Sequence, residues 1–135
     1  MIYLTKIMRF SASHRIYNPN LSDDENTKLF KQCANQNGHG HNYILEVCVS
    51  GKPNPLTGYV IDLKDLKNII QNEIIDLVDH KNLNVDVKEL KNIIPTSENL
   101  VMLFWKLLEN KIPNTKLHKI KLSENENSSV EYFGN

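Results

Sequence analysis

Two stretches of the chain alternate apolar and polar residues with a period of two, and no other feature constrains the fold as strongly. The first covers residues 2–14, with one face made of Ile2, Leu4, Met8, Phe10 and Ala12. The second covers residues 39–49, with one face made of His39, His41, Tyr43, Leu45, Val47 and Val49. This alternation is typical of strands that bury one face of a sheet.

Helical periodicity follows the second strand. Asp62 is predicted to cap a helix whose apolar stripe is Leu63, Leu66, Ile70, Ile74 and Leu77. Thr96 or Ser97 is predicted to cap a second helix, ended by Pro113, whose stripe is Leu100, Phe104, Leu107 and Leu108. Residues 117–124 and 129–133 are predicted strands.

The connections are less regular. Residues 15–38 form a long polar loop in which residues 23–32 can make a short helix, residues 59–61 are a brief extended piece, and residues 79–95 are irregular. The order β-β-α-α-β-β predicts an α+β fold, an antiparallel sheet with two helices on one face. Residues 1–135 are expected to form one domain.

Composition excludes several classes of protein. The 16 basic and 16 acidic residues balance, which disfavours nucleic acid and anionic membranes as partners. The 2 cysteines are too few for a disulfide scaffold. Because neither a signal peptide nor a long apolar segment is recognisable, a cytoplasmic location is expected.

Three histidines are predicted to converge at one end of the first two strands. His39 and His41 point to the same side of their strand, since residues two apart share a face. His14 ends the first strand on the Phe10–Ala12 face, so antiparallel pairing brings it beside His39. Three neutral imidazoles with one open position are typical of a catalytic zinc site.

For several other polar residues, the sequence pattern allows more than one role. Cys33 is a fourth zinc ligand, a thiolate base or a loop residue without a role. Asp79-His80 is either a carboxylate that orients a histidine for proton transfer or a surface dipeptide. Arg15 either contacts a phosphate or faces solvent.

Two glutamates are similarly ambiguous. Glu98 falls in the first turn of the second helix, where it can simply complement the helix dipole. Glu124 shares the register of Ile120 and Leu122, so it is either a buried carboxylate that recognises a guanidine-like edge or a solvated turn residue. Cys48 lies on the strand face opposite the histidines and is interpreted as a packing residue.

Four segments together resemble the 6-pyruvoyl-tetrahydropterin synthase and 6-carboxy-tetrahydropterin synthase family. In this sequence they are Phe10-Ser11-Ala12-Ser13-His14-Arg15, Cys33-x5-His39-Gly40-His41-Asn42-Tyr43, Leu77-Val78-Asp79-His80-Lys81-Asn82-Leu83 and Pro95-Thr96-Ser97-Glu98-Asn99. The resemblance runs nearly end to end, in order and with matching spacing, and the combination is highly specific.

The resemblance implies a T-fold (tunnelling fold) whose subunits form barrels as trimers, with two trimers stacked as a homohexamer. It implies Zn2+ on His14, His39 and His41, and Cys33 as the catalytic base. It also implies that Asp79 and His80 of a neighbouring subunit assist Cys33. The implied substrate site consists of Glu124 as the pterin anchor, with Thr96, Ser97 and Glu98 lining the pocket.

The branches of that family differ in product. One converts 7,8-dihydroneopterin triphosphate to 6-pyruvoyl-tetrahydropterin, in tetrahydrobiopterin-type synthesis. The queuosine-pathway branch makes 6-carboxy-tetrahydropterin from the same substrate and typically has Cys-x3-His. The Cys-x5-His spacing here favours the pyruvoyl product, and Cys33 argues against a third branch that has glutamate instead. A non-catalytic pterin- or metal-binding module is the further alternative.

Overall fold

The two alternating stretches form a long hairpin at the centre of the sheet. The structure, a computed structural model, describes residues 1–135. Strand β1 (Ile2–His14) pairs antiparallel with β2 (His39–Gly51), and the register places Phe10 opposite Tyr43 and His14 opposite His39. The predicted strands and their polarity are therefore confirmed.

Three further strands complete a five-stranded sheet in the order β3-β1-β2-β4-β5. Strand β4 (Lys116–Asn125) pairs antiparallel with β2, and β5 (Ser128–Tyr132) pairs antiparallel with β4. The short β3 (Lys81–Asn82), which the sequence did not predict, runs parallel to the end of β1. The predicted extended piece at 59–61 is wrong, because this segment closes a turn in which the Asn54 amide donates to the Tyr59 carbonyl at 2.8 Å.

The helices begin where their caps predict. The Asp62 carboxylate accepts from the Lys64 amide at the start of α2 (Leu63–Ile70), and the Thr96 hydroxyl accepts from the Asn99 amide at the start of α4 (Ser97–Leu108). A π-helical segment (Gln71–Ile75) joins α2 to α3 (Asp76–Val78). No helix in the structure combines the length and apolar character needed to cross a bilayer.

The helices cover one face of the sheet and bury the predicted core. Phe10 stacks on Tyr43 with ring centroids 4.7 Å apart and meets Phe104 of α4 edge to face at 6.0 Å. Fully buried side chains from both predicted helical stripes join them, namely Leu66, Ile70, Ile74, Leu100, Phe104 and Leu108. The α+β unit of the T-fold is thus present in one chain.

The first helical stripe departs from the prediction at both ends. Leu63, in the first turn of α2, is 53% exposed. Leu77 is only half-buried, and Val78 is fully buried instead. A π-helical turn contains an extra residue, which rotates every later side chain about the helix axis. After the segment Gln71–Ile75, Val78 is the fully buried residue, while Leu77 packs against the core in a half-buried position.

The long loop between β1 and β2 is an ordered structure. Helix α1 (Asp23–Phe30) begins with a capping box between Ser22 and Glu25, and a 3-10 turn (Lys31–Ala34) follows it. The buried Asn26 side chain accepts from the Asn18 amide at 2.7 Å and donates to the Asn18 carbonyl at 2.9 Å. This reciprocal pair satisfies polar groups that the loop would otherwise bury without partners.

The return of the loop to β2 requires a glycine at position 38. Gly38 has φ +69°, in the left-handed region, and a Cβ atom there would lie 2.5 Å from the His14 carbonyl oxygen. Gly58 has a similar φ of +76° but open space around it. The two positions differ in steric environment and share the same backbone requirement.

We expect Gly38→Ala to destabilise the fold more than its matched control, Gly58→Ala. Both substitutions place an L side chain in the left-handed region, at a cost of about 1–2 kcal/mol. Only Gly38→Ala also displaces the end of β1 that carries His14. Urea denaturation measures the free energy of unfolding, and equal losses in the two variants would contradict this account of the loop.

Candidate metal centre and substrate pocket

The β1–β2 register brings three imidazoles together at one end of the sheet. His14, His39 and His41 each offer a ring nitrogen, and these nitrogens lie within 4.8 Å of one another. The His14 and His39 Nε2 atoms are 3.2 Å apart. Two ligands of a tetrahedral zinc, each about 2.0–2.1 Å from the ion, are about 3.3 Å apart. The predicted convergence of the histidines is present, and its dimensions fit a metal ion.

The surroundings of His14 leave its Nε2 free to bind a metal. His14 is 1% exposed, and its Nδ1 lies 2.8 Å from the Pro95 carbonyl oxygen. A carbonyl only accepts, so Nδ1 carries the proton and Nε2 carries the lone pair. The Tyr43 hydroxyl lies 3.4 Å from the same Nδ1.

Burial favours the neutral form of His14 and His41. Burial is the main cause that lowers the pKa of His14, and the neighbouring His39 and His41 lower it further against the opposing Pro95 carbonyl. Burial also lowers the pKa of His41, partly offset by Glu124. The His41 Nε2 atom is buried without a hydrogen-bond partner. An unpaired buried nitrogen is costly, and a metal ion would satisfy it.

Burial also determines the protonation state of the Tyr43 hydroxyl, which lies beside the three histidines. Tyr43 is fully buried, and burial followed by the Glu124 charge raises the pKa of its phenol. The hydroxyl therefore stays protonated, and it packs beside His14 as a neutral group.

Glu124 lies within β4 on the histidine side of the sheet, so it is a half-buried strand residue and not a solvated turn residue. Its side chain is 30% exposed, its Oε1 accepts from the Ser97 hydroxyl at 3.0 Å, and the same oxygen lies 4.0 Å from the His14 Nε2. Between β4 and β5, Ser123 pairs with Ser129 and Asn125 pairs with Ser128, so Glu124 is the extra residue of a bulge. Bulges commonly redirect a side chain next to a functional site.

A cleft of about 190 Å³ lies beside Glu124 and the start of α4. Thr96, Ser97 and Glu98 line it as the resemblance implied, and four residues that the sequence did not single out also line it, namely Ile16, Ser128, Ser129 and Val130. No local pattern marks Ile16, which follows the end of β1, or the two serines at the start of β5. The Pro95 carbonyl was missed as well, because a main-chain acceptor has no residue signature.

Cys33 stands apart from the three histidines. Its side chain is exposed on the Lys31–Ala34 turn, and the cluster of ligand atoms contains only the histidines. Cys48 is buried mid-strand, as expected of a packing residue.

Asp79 and His80 form a polarised pair at the edge of β1. The Asp79 Oδ1 accepts from the Ser11 amide at 2.9 Å and lies 3.0 Å from the His80 Nδ1. The Ser11 amide is the main cause that lowers the pKa of Asp79, and His80 adds to it. His80 adopts φ +61°, unusual for a residue with a side chain, and its side chain is 82% exposed. Within one chain, neither residue forms a hydrogen bond with Cys33.

Comparison with known proteins identifies relatives of this chain in both sequence and structure. A model of the family described as 6-pyruvoyl tetrahydropterin synthase matches residues 3–135. The 6-pyruvoyl tetrahydrobiopterin synthase of Homo sapiens is 44% identical over 97% of this chain and 90% of its own length. The Caenorhabditis elegans 6-pyruvoyl tetrahydropterin synthase structure superposes with a TM-score of 0.92 at 36% identity, covering 99% of this chain and 96% of that one. The Aquifex aeolicus 6-carboxy-5,6,7,8-tetrahydropterin synthase is 28% identical over 96% of each chain.

We expect His39→Ala to lose the bound metal while His118→Ala keeps it. His39 is half-exposed, so its removal deletes a ligand without opening a cavity in the core. The His118 ring packs against the tilted Tyr3 ring, with centroids 4.5 Å apart, and lies outside the cluster, so it controls for the loss of a histidine. Elemental analysis of purified protein should find about one ion per chain in His118→Ala. Equal metal content in the two variants would remove His39 from the ligand set.

We expect the metal-free protein to lose stability as the pH falls below the ordinary histidine pKa of 6.5. Above that pH, His14 and His41 are neutral in both the folded and the unfolded state. Below it, the unfolded chain takes up protons that the buried His14 and His41 resist, so the free energy of unfolding decreases. Thermal unfolding at about pH 7.5 and pH 5.5 measures the change. His41→Gln should weaken the dependence and His118→Gln should not; identical slopes would contradict the assignment.

Proposed function

The chain belongs to the 6-pyruvoyl tetrahydropterin synthase family, and from that premise we propose that it converts 7,8-dihydroneopterin triphosphate to 6-pyruvoyl-tetrahydropterin with elimination of triphosphate. It is an enzyme of pterin synthesis, and we assign it as a carbon–oxygen lyase. One observation carries the assignment most directly: the three-imidazole cluster lies next to a pocket that contains a half-buried carboxylate.

We infer that the ion is Zn2+ held by His14, His39 and His41. Three neutral nitrogen ligands with a fourth position open match catalytic zinc better than harder cations, which prefer oxygen. When bound, the ion supplies Lewis acidity toward the oxygens of the substrate side chain. The Pro95 carbonyl fixes the tautomer of His14. Packing against Tyr43 fixes the orientation of the His14 ring.

Glu124 is the proposed anchor of the pterin ring. Its carboxylate accepts from the Ser97 hydroxyl through one oxygen, so the second oxygen and the remaining lone pairs can accept from the N–H groups of the ring. Thr96, Ser97 and Glu98 line the cleft around it. The His14 Nε2 is 4.0 Å from that carboxylate, so a ring bound to Glu124 would lie close to the proposed metal ligands.

Cys33 is the proposed base, assisted by Asp79 and His80. The thiolate removes a proton from the side-chain carbon adjacent to the carbon that carries the triphosphate, and the electron pair of that C–H bond expels triphosphate. The resulting enol becomes a ketone by taking up a proton at its terminal carbon. The hydroxyl-bearing carbon next to the ring loses its C–H and O–H protons and becomes the second ketone, and its two electrons, with two protons, reduce the ring, so no nicotinamide is required. The Asp79 carboxylate orients the His80 imidazole, and the pair is proposed to act on the thiol of a neighbouring subunit. The homohexamer and the cytoplasmic location stay predictions.

The queuosine-pathway reaction is the alternative on the same scaffold. Its product is 6-carboxy-tetrahydropterin, and it releases acetaldehyde with the triphosphate. The Cys-x5-His spacing, and the higher identity to relatives named for the pyruvoyl product, support the first assignment. A non-catalytic binding module would have no use for the Cys33, Asp79 and His80 set.

Mass spectrometry of the products tests the assignment. Metal-loaded protein incubated with dihydroneopterin triphosphate should release triphosphate and yield the pyruvoyl product. Release of acetaldehyde would establish the alternative, and pterin binding without triphosphate release would establish a binding module.

We expect Cys33→Ala to keep the metal and the fold but to lose at least about 100-fold in turnover, the usual contribution of general-base catalysis. Cys48→Ala is the matched control, since it removes a thiol from the same chain away from the histidines. Steady-state kinetics with parallel metal analysis makes the comparison. Full activity in Cys33→Ala would exclude the thiol from the reaction.

A further inference from the structure

The end of β1 continues past His14 and holds the turn that carries Cys33. The Ile16 amide donates to the Cys33 carbonyl at 2.8 Å, and the Arg15 Nε donates to the Ala34 carbonyl at 2.8 Å. Two consecutive residues after a metal ligand therefore bind two consecutive carbonyls of the Lys31–Ala34 turn. One bond comes from main chain, and the other comes from the Arg15 side chain.

The Arg15 side chain is not free in solvent. It is 21% exposed, and its guanidinium carbon lies 4.0 Å from the centroid of the Tyr17 ring. One terminal nitrogen is 3.8 Å from Asp23, but that carboxylate is 97% exposed, so the ion pair contributes little. Stacking on Tyr17 and the bond to Ala34 instead fix the plane of the guanidinium.

The main chain of Arg15 is fixed from the opposite side. The Arg15 amide donates to the Asn84 Oδ1 at 2.7 Å, and the Asn84 Nδ2 donates to the Arg15 carbonyl at 2.9 Å. This pair extends the β1–β3 pairing, in which the Leu83 amide donates to the Ser13 carbonyl at 2.8 Å. The base of the Arg15 side chain is therefore rigid.

The Cys33 turn has little internal structure to fix its own position. It is four residues long, and it begins at Lys31, where φ is +54°. The main-chain bonds that follow it are local, from the Asn35 amide to the Gln32 carbonyl and from the Gly38 amide to the Asn35 carbonyl. Its placement relative to the metal ligands therefore draws on the bonds from Ile16 and Arg15, together with the burial of Ala34.

We propose that Arg15 is a positioning residue for the reaction, holding the Cys33 turn at a fixed place relative to His14 through its bond to the Ala34 carbonyl. The inference rests on the proposed role of Cys33 as the base. Misplacing a reacting group by about 1 Å can cost about 100-fold in rate. Removal of the bond should therefore lower kcat and leave substrate affinity nearly unchanged.

Two substitutions of Arg15 separate this role from a phosphate contact. Arg15→Lys keeps the positive charge and most of the stem but lacks Nε, and Arg15→Met keeps only the stem. Both should lower kcat by about 10-fold to 100-fold, with KM within about twofold and unchanged metal content. A raised KM in Arg15→Met that Arg15→Lys restores would establish a phosphate contact and overturn the proposal. Because Arg15→Lys is the milder change, it decides the outcome if Arg15→Met does not fold.

Amide hydrogen exchange supplies a readout that is independent of turnover. In both Arg15 variants, peptides covering residues 31–36 should exchange at least about threefold faster, while peptides from α4 stay unchanged. Lys28→Met is the matched control, since it removes an exposed cation of α1 without touching the turn. Unchanged exchange together with wild-type kcat in Arg15→Lys would overturn the proposal. If the wild-type protein shows no turnover, the proposed function fails, whereas the exchange data still decide whether Arg15 holds the turn.

Discussion

The antiparallel register between β1 and β2 is the constraint on which the rest of the structure depends. With His14 opposite His39, the three imidazoles occupy neighbouring positions on the helix-covered face. A slip of one residue would turn every side chain of one strand to the other face, moving His14 away from its partners and Phe10 out of the core. Burial of Phe10 and Tyr43 therefore enforces the same register that assembles the metal centre.

The outer edge of β1 connects the centre to the remaining polar groups. The Ser11 amide binds Asp79, the Ser11 carbonyl accepts from the His80 amide, and the residues after His14 bind the Cys33 turn. Main-chain groups of β1 and the residues after it make most of these bonds. The positions of Asp79 and Cys33 therefore depend little on which side chains β1 carries. One strand thus carries a candidate metal ligand on its face and, through its edge, holds the two segments that contain Asp79 and Cys33.

The centre combines groups that would be unfavourable separately. His14 is almost completely buried, the His41 Nε2 has no partner, and Glu124 is a half-buried carboxylate. Burial makes His14 and His41 resist protonation, which preserves the lone pairs that a metal requires. The stability lost at such a site is offset by the continuous apolar core beneath it, an arrangement common where function and folding compete.

Local patterns in the sequence determined the long strands, the caps at Asp62 and Thr96, and the shared face of His39 and His41, because each depends on neighbours a few residues away. Other features depended on partners far along the chain or on main-chain groups, and such partners leave no pattern in the local sequence. These features are the place of Glu124, the burial of Val78 in preference to Leu77, and the contacts of Arg15. The bulge at Glu124, the π-helical turn and the Arg15–Ala34 bond exist only once the sheet, helices and loop pack together. Tertiary packing decided them because their free energies come from contacts that no short segment can form alone.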